Sequence, residues 1–258
     1  MMKTLQDRVI AVTGGAGGIA RGIAEAILEA GGKVGLLDLP GTKLTEAAAA
    51  LDPGGDKVVA IPADVTDPAS LDLAFTQLAD KFGRFDGLVN NAGVVRLGPA
   101  EGATPTNLDL EFAVNVKGVM LASQAAARQF GDKGGTIVNI ASNAGKVGYR
   151  NMAGYNASKA AVINLTRSLS LEWADKKINV NAVCPGGVAT DMLKTVADFI
   201  TGGDAVESEK MMKNMVPHQL GRHILPIEVG RVIVFLLSDA AQIIRGQSIS
   251  VDGGDTPF

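Results

Sequence analysis

The sequence predicts a doubly wound α/β fold of Rossmann type, with one parallel sheet of about seven strands and helices on both faces. Three observations lead there. Short β-branched runs alternate with longer Ala-rich stretches at βαβ spacing. Most of the short runs are almost continuously apolar, as strands buried on both faces are. A cluster of glycines, Gly14, Gly15, Gly17 and Gly18, stands between the first strand and the first helix.

Strands are predicted near 9–13, 34–38, 58–61, 87–90, 136–140, 178–183 and 248–251. Helices are predicted over 18–30, 43–51, 68–82, 107–130, 155–174 and 227–238. Gly31-Gly32 stops the first helix and Gly131 the fourth, since glycine adopts the left-handed turn that ends a helix. The segment 187–225 breaks the rhythm with two short helical pieces, 192–200 and 205–215, where a strand would be due. One domain over 1–258 with a substrate lid at about 190–225 is the simplest account.

Composition excludes several classes. Net charge is −3 and no basic stripe stands out, so nucleic acid is not an expected partner. The single cysteine, Cys184, can form no intrachain disulfide and belongs to no CxxC pair, which fits a reducing, cytoplasmic setting and no structural zinc. No apolar run is long enough to span a membrane. Lys3 and Arg8 ahead of the uncharged run 9–20 imitate a signal sequence, but four glycines in that run suit a helical leader poorly.

The glycine-rich turn Thr13-Gly14-Gly15-Ala16-Gly17-Gly18-Ile19-Ala20 opens a helix directly after the first strand, where backbone N–H groups and the helix N-terminus favour a pyrophosphate. No Gly-Lys-Ser/Thr follows, so a nucleoside-triphosphate loop is not supported. Asp38 ends the second strand 20 residues after Gly18, the place from which a carboxylate binds the adenosine ribose hydroxyls of NAD. The 2′-phosphate of NADP would bring roughly two negative charges beside it, and neither Gly17 nor Leu39 is basic. NAD is therefore the expected cofactor.

A row of polar or turn-forming residues ends the strands: Asp38, Asp64, Asn91-Ala92-Gly93, Ser142 and Pro185-Gly186. In an open parallel sheet these ends share one edge, where ligands bind. Tyr155 and Lys159, four apart, share a helix face. A free phenol has a pKa of roughly 10; a nearby ammonium, or the positive ring of an oxidised nicotinamide, would lower it. A Ser142 hydroxyl facing that phenol would hold a substrate oxygen.

Over essentially its whole length the chain resembles the short-chain dehydrogenase/reductase family. The resemblance rests on Thr13-Gly14-x-x-x-Gly18, Asp64-Val65, Asn91-Ala92-Gly93, Asn115, Ser142, Tyr155-x-x-x-Lys159, Pro185-Gly186 with Thr190, and a tail from Gly246 to Val251-Asp252-Gly253-Gly254. It implies Tyr155 as general acid/base and Ser142 as orienter of the carbonyl or alkoxide oxygen. Lys159 would lower the Tyr155 pKa and bind the nicotinamide ribose, and Asn115 would hold a water linking Lys159 to solvent. Gly14, Gly17, Gly18 and Ile19 would hold the pyrophosphate, Asp64 and Val65 the adenine, and Asn91, Ala92 and Gly93 the adenosine side of the cofactor. Pro185, Gly186, Val188 and Thr190 would hold the nicotinamide. A homotetramer is common in the family. Two departures stand out: Ala20 replaces the third motif glycine, and Ala141 replaces a second serine often found before the catalytic one.

The substrate is expected to be a small polyol, diol or sugar alcohol oxidised at a secondary hydroxyl. The stretch Val216-Pro217 to Leu220-Gly221-Arg222 and Pro226 resembles NAD-linked polyol and butanediol dehydrogenases. Asn143, Lys146, Tyr149, Arg150 and Asn151 add polar groups near the catalytic serine. The lid methionines Met192, Met211, Met212 and Met215 point instead to a cyclic or apolar alcohol. A 3-oxoacyl thioester reductase and a non-catalytic NAD sensor are the remaining alternatives. His218 and His223 lack converging partners, Cys184 reads as a packed hydrophobe, and Trp173 as core or oligomer surface.

Overall fold

Along β1 (Val9–Thr13) the side chains alternate between two cores: Ile10 and Val12 enter one, Val9 and Ala11 the other. A strand buried on both faces needs helices on both sides, and the chain supplies them. In the computed structural model, which describes residues 4–256 apart from the Thr42 side chain, seven strands form one sheet in the order β3-β2-β1-β4-β5-β6-β7, every adjacent pair parallel. The other strands are β2 (Lys33–Asp38), β3 (Val58–Pro62), β4 (Gly87–Asn90), β5 (Gly135–Ile140), β6 (Ile178–Pro185) and β7 (Ser248–Val251). The order reverses between β1 and β4, so the crevice of this sheet opens at their C-terminal ends.

Helices α1 (Gly18–Glu29), α2 (Thr42–Leu51) and α3 (Pro68–Phe82) alternate with the first strands. Helix α3 starts with the Asp67 carboxylate accepting from Ala69 N–H at 3.0 Å, has Pro68 in its first turn, and ends on Gly83 at φ +75°. One face of the sheet packs Ile23 and Ile27 of α1 against Val229 and Ile233 of α9 (Pro226–Leu237). The other face packs Phe75, Leu78, Phe130 and Leu169, and Trp173 joins that core.

The predicted helix 107–130 is in fact three pieces: α4 (Pro105–Phe112), a π-helical stretch 113–118, and α5 (Val119–Phe130). The wider π turns hold Asn115, which is fully buried, and π-bulges in α-helices often sit at functional sites. Other boundaries moved by a residue or two. The helix that carries Tyr155 and Lys159, α6 (Ala153–Glu172), begins two residues earlier than expected, and β6 runs on through Pro185. The lid pieces are α7 (Asp191–Ile200), capped by the Thr190 hydroxyl, and α8 (Ala205–Asn214), capped by the Asp204 carboxylate.

Arg8 and the run 9–20 belong to this architecture, as β1, the glycine turn and the start of α1; Lys3 lies outside the described residues. No helix among the described residues is long and apolar enough to cross a membrane.

Candidate active site

A cleft of about 640 Å³ lies at the C-terminal edge of the sheet. The expected cofactor residues Gly14, Gly17, Gly18, Ile19, Asp38, Asp64, Val65, Asn91, Ala92, Gly93, Pro185, Gly186, Val188 and Thr190 all line it. So do the catalytic candidates Ser142, Tyr155 and Lys159. Asn115 does not line it.

The glycine turn is tied to the β4 loop by residues at the strand ends. The buried Thr13 hydroxyl accepts from Asn91 N–H and Ala92 N–H, each at 3.1 Å, and the Asn91 amide donates to the carbonyls of Thr13 (3.0 Å) and Gly14 (3.1 Å). Gly14 takes φ +64°, and a Cβ there would sit 2.8 Å from Ala92 Cα, so only glycine allows this approach. The Asp38 carboxylate closes the turn, accepting from Ala16 N–H at 2.9 Å and Leu39 N–H at 2.8 Å. Asp64 is held by Thr66, through its N–H at 2.8 Å and its hydroxyl at 2.7 Å. A turn of this width, an anion-attracting helix start and a carboxylate at the end of β2 together fit a nicotinamide dinucleotide.

Close helix packing beside the turn comes from Gly22 in α1 and Gly230 in α9, where an added Cβ would overlap the Pro226 backbone and the Gly22 carbonyl respectively. The sequence reading missed both, since a glycine inside a helical pattern does not say what it touches.

The Lys159 ammonium is buried, donates to the Ile140 carbonyl at 2.7 Å, and lies 5.7 Å from the Tyr155 ring centroid. Burial pulls its pKa down to about 8. Burial pushes the Tyr155 phenol up; the Ser142 hydroxyl, bonded to it, pulls down, and the Glu111 carboxylate adds to the rise. In the protein alone the phenol is therefore raised by burial, contrary to the depression that the Tyr-Lys spacing suggested. Ser142 also accepts from Ala144 N–H at 3.1 Å, which fixes the hydroxyl at the end of β5.

Asn115 makes three protein bonds. Its Oδ1 accepts from Val94 N–H at 2.8 Å, and its amide donates to the Val94 carbonyl at 2.9 Å and the Ser158 hydroxyl at 3.0 Å. It thus clamps the β4 loop to α6. A Cβ on Gly93 would meet Asn115 Oδ1 at 3.4 Å and Lys159 Nζ at 3.5 Å, so the two groups flank that glycine.

These elements together decide the family. A model described as enoyl-(acyl carrier protein) reductase matches residues 14–256. The 2-(S)-hydroxypropyl-CoM dehydrogenase 3 of Xanthobacter autotrophicus is 39% identical over 257 residues, 99% of each chain. The chain belongs to the short-chain dehydrogenase/reductase family. Within that family it is also similar to D-threitol dehydrogenase of Mycolicibacterium smegmatis, 37% identical over 98% of this chain and 94% of the relative. Among solved structures, levodione reductase superposes with a TM-score of 0.89 at 31% identity, covering 97% of this chain and 98% of that one. As an oxidoreductase of this family, the chain has dehydrogenase relatives that act on alcohols.

The rest of the cleft lining is mixed in polarity. Asn143, Tyr149, Asn214 and Asp255 line it, with Met152, Met192, Leu193 and Met215. The Asn143 amide donates to the Tyr149 hydroxyl at 2.8 Å. Lys146, Arg150 and Asn151 do not line the cleft; Lys146 turns away to donate to the Ser250 hydroxyl at 2.8 Å. Met211, Met212, His218 and His223 also lie outside the lining, and Cys184 is fully buried.

Proposed function

We propose that the chain is an NAD-linked dehydrogenase that interconverts a small uncharged polyol or diol and its ketone, with Tyr155 as the general acid/base. The observation that carries the cofactor choice is Asp38. Its carboxylate stands in the cleft at the end of β2, fixed by two backbone N–H groups with acceptor capacity left for ribose hydroxyls. Among the described lining residues Lys159 is the one Lys or Arg, and it lies at the nicotinamide end. A 2′-phosphate would therefore meet a carboxylate and no cation.

When bound, the nicotinamide supplies hydride exchange with the carbinol carbon, and in its oxidised form a positive ring beside the phenol. The protein's own groups do the rest. Ser142 orients the substrate oxygen, and Tyr155 takes its proton in oxidation and returns it in reduction. Lys159 holds positive charge beside the phenol and would bind the nicotinamide ribose. Asn115 holds the Val94 backbone and α6 in register around both.

The polyol reading draws on the similarity to D-threitol dehydrogenase and on the polar pair Asn143 and Tyr149 in the cleft. A lining of bound hydroxyl partners rejects an analogue that lacks the hydroxyl. The absence of a second cation among the described lining residues speaks against an anionic thioester carrier. A second reading, an apolar cyclic alcohol, draws on Met152, Met192 and Met215. The test compares kcat/KM for sugar alcohols and vicinal diols with that for cyclohexanol, using NAD and NADP in parallel. The proposal expects polyols and NAD to lead, each by about tenfold, or about 1.4 kcal/mol. A lead for cyclohexanol overturns the substrate, and a lead for NADP overturns the cofactor.

A further inference from the structure

A second cavity, of about 900 Å³, lies beyond the turn that Ser142 caps. Ser142, Asn143 and Ala144 line the cleft, whereas Gly145 and Lys146 line the second cavity. On α6 the boundary falls between Lys159, in the cleft, and Ala160, in the cavity. Gly145 seals this partition: a Cβ there would lie 2.7 Å from the Lys159 carbonyl carbon, so turn and helix meet backbone to backbone. No described residue lines both spaces.

The charge in the second cavity has one sign. The chain carries more acids than bases, 27 against 24, yet the described lining holds three cations, Lys146, Arg167 and Arg245, and no carboxylate. They come from three separate segments: the turn after β5, the later part of α6 and the loop before β7. Lys146 donates to the Ser250 hydroxyl, and Arg245 Nε donates to the Gln242 carbonyl at 3.1 Å. Among the described residues neither arginine is paired with a carboxylate. Ser248, also in the lining, has a buried hydroxyl that no described protein group bonds. Beside these polar groups stand Ile163 and Leu171, the latter 81% exposed.

We propose that this cavity is a binding site for a small organic polyanion, separate from the cofactor cleft. Cations gathered without a counter-charge repel one another, and an anion among them relieves that repulsion. A hollow lined by one sign of charge, with apolar walls, focuses the field on what enters it. Guanidinium forks pair with carboxylate or phosphate through two parallel N–H···O bonds. The unbonded Ser248 hydroxyl adds a further donor. Volume separates a bare ion from an organic one: cavities that hold small organic ligands run from roughly 300 to 1,000 Å³. Ile163 and Leu171 offer a carbon skeleton an apolar surface, and cations on three segments call for more than one anionic group. Polycarboxylates and phosphate esters share this chemistry.

Citrate and glycerol 2-phosphate serve as probes, one for each source of the anion. Each is titrated by calorimetry into the protein with and without saturating NAD, at an ionic strength held constant with chloride. At least one probe should bind saturably, and binding should persist with NAD present. The Arg167→Gln, Arg245→Gln double variant should weaken it by about tenfold or more, because hydrogen bonds to charged groups are the strong ones. Both arginines are exposed, so the variant should fold, and a thermal melt checks that. Lys57→Gln removes one exposed charge ahead of β3, at the opposite edge of the sheet, and should leave affinity within about twofold. Tighter binding of citrate assigns the site to polycarboxylates, and tighter binding of glycerol 2-phosphate assigns it to phosphate esters. Absence of saturable binding, equal weakening in Lys57→Gln, or binding abolished by NAD overturns the proposal. Sedimentation velocity tests the other occupant, a second copy of the chain. If the double variant changes the association state and leaves probe binding unchanged, the cavity is a contact between copies and the proposal falls.

Discussion

The Lys159 ammonium stands 5.7 Å from the centre of the Tyr155 ring, one helical turn along the same face of α6, and is anchored at 2.7 Å to the carbonyl of Ile140. Anchoring a charge this deep is costly: Lys159 is 4% exposed, and its pKa falls to about 8. The unfolded chain binds that proton more tightly than the folded one. Below about pH 8 the folded protein therefore carries a penalty, and the penalty is relieved as pH rises from about 8 towards the unfolded value near 10.5.

Lys159→Met should consequently trade activity for stability. Turnover should fall by about 100-fold or more, the scale of losing support for a general acid/base. At pH 7 the melting temperature should rise by about 2–4 °C, the shift that roughly 1 kcal/mol brings in a chain this size. The gain should shrink as pH is raised towards 10, where the wild-type lysine is neutral. Thermal melts at pH 7 and pH 10 check both halves, and a gain that grows with pH would contradict the buried-ammonium account.

Tyr155→Phe removes the phenolic proton and little else. Oxidation should fall by about 100-fold or more, while NAD affinity measured by titration calorimetry stays within about threefold of wild type, about 0.6 kcal/mol. The Thr13–Asn91 clamp and Asp38 are untouched by this change. Near-normal turnover in this variant would remove Tyr155 from the chemistry. In the parent enzyme oxidation should accelerate with rising pH, since the base form of a phenol raised by burial is the reactive one.

What could be read from the sequence divides along physical lines. Strand ends were legible because an apolar run stops at a polar residue, as β2 does at Asp38 and β4 at Asn90. Their convergence on one cleft followed from parallel topology. The π-helical turns around Asn115 were not legible, because no proline or helix-stopping turn separates α4 from α5 in the sequence. Nor was the direction of long side chains. Lys146 and Tyr149 are three residues apart, yet one reaches Ser250 and the other lines the cleft. Glu111 escaped for a related reason: the charge of a helical glutamate suggests water, and only tertiary packing buries it.

Asp38→Ala should raise the KM for NAD by about tenfold and leave the KM for NADP changed much less, narrowing the cofactor gap by about 1.4 kcal/mol. The variant loses the acceptor for ribose hydroxyls and also frees Ala16 N–H and Leu39 N–H. Part of the loss is therefore in the shape of the turn. Asp38→Asn, which retains one acceptor oxygen, should fall between wild type and alanine. Steady-state kinetics with both cofactors decide it, and an unchanged ratio would take Asp38 out of cofactor selection.

The last expectation concerns the helix contact that supports the glycine turn. Gly22 and Gly230 let α1 and α9 touch backbone to backbone, and a Cβ on either would overlap main-chain atoms rather than the end of a flexible side chain. Alanine is the better helix former by roughly 1 kcal/mol, so propensity alone predicts that Gly22→Ala stabilises. Overlap with the Pro226 backbone predicts the reverse, and it should win, because parting two packed helices costs typically 1–3 kcal/mol or more. Helix α1 begins at Gly18, so a displaced α1 also shifts the N–H groups that would face the pyrophosphate. Gly22→Ala should therefore lower both the urea midpoint and NAD affinity. Gly41→Ala, where an added Cβ meets nothing within 4 Å, should leave the urea midpoint within about 0.5 kcal/mol of wild type. Equal effects of the two substitutions would show that α1 and α9 can move apart without loss.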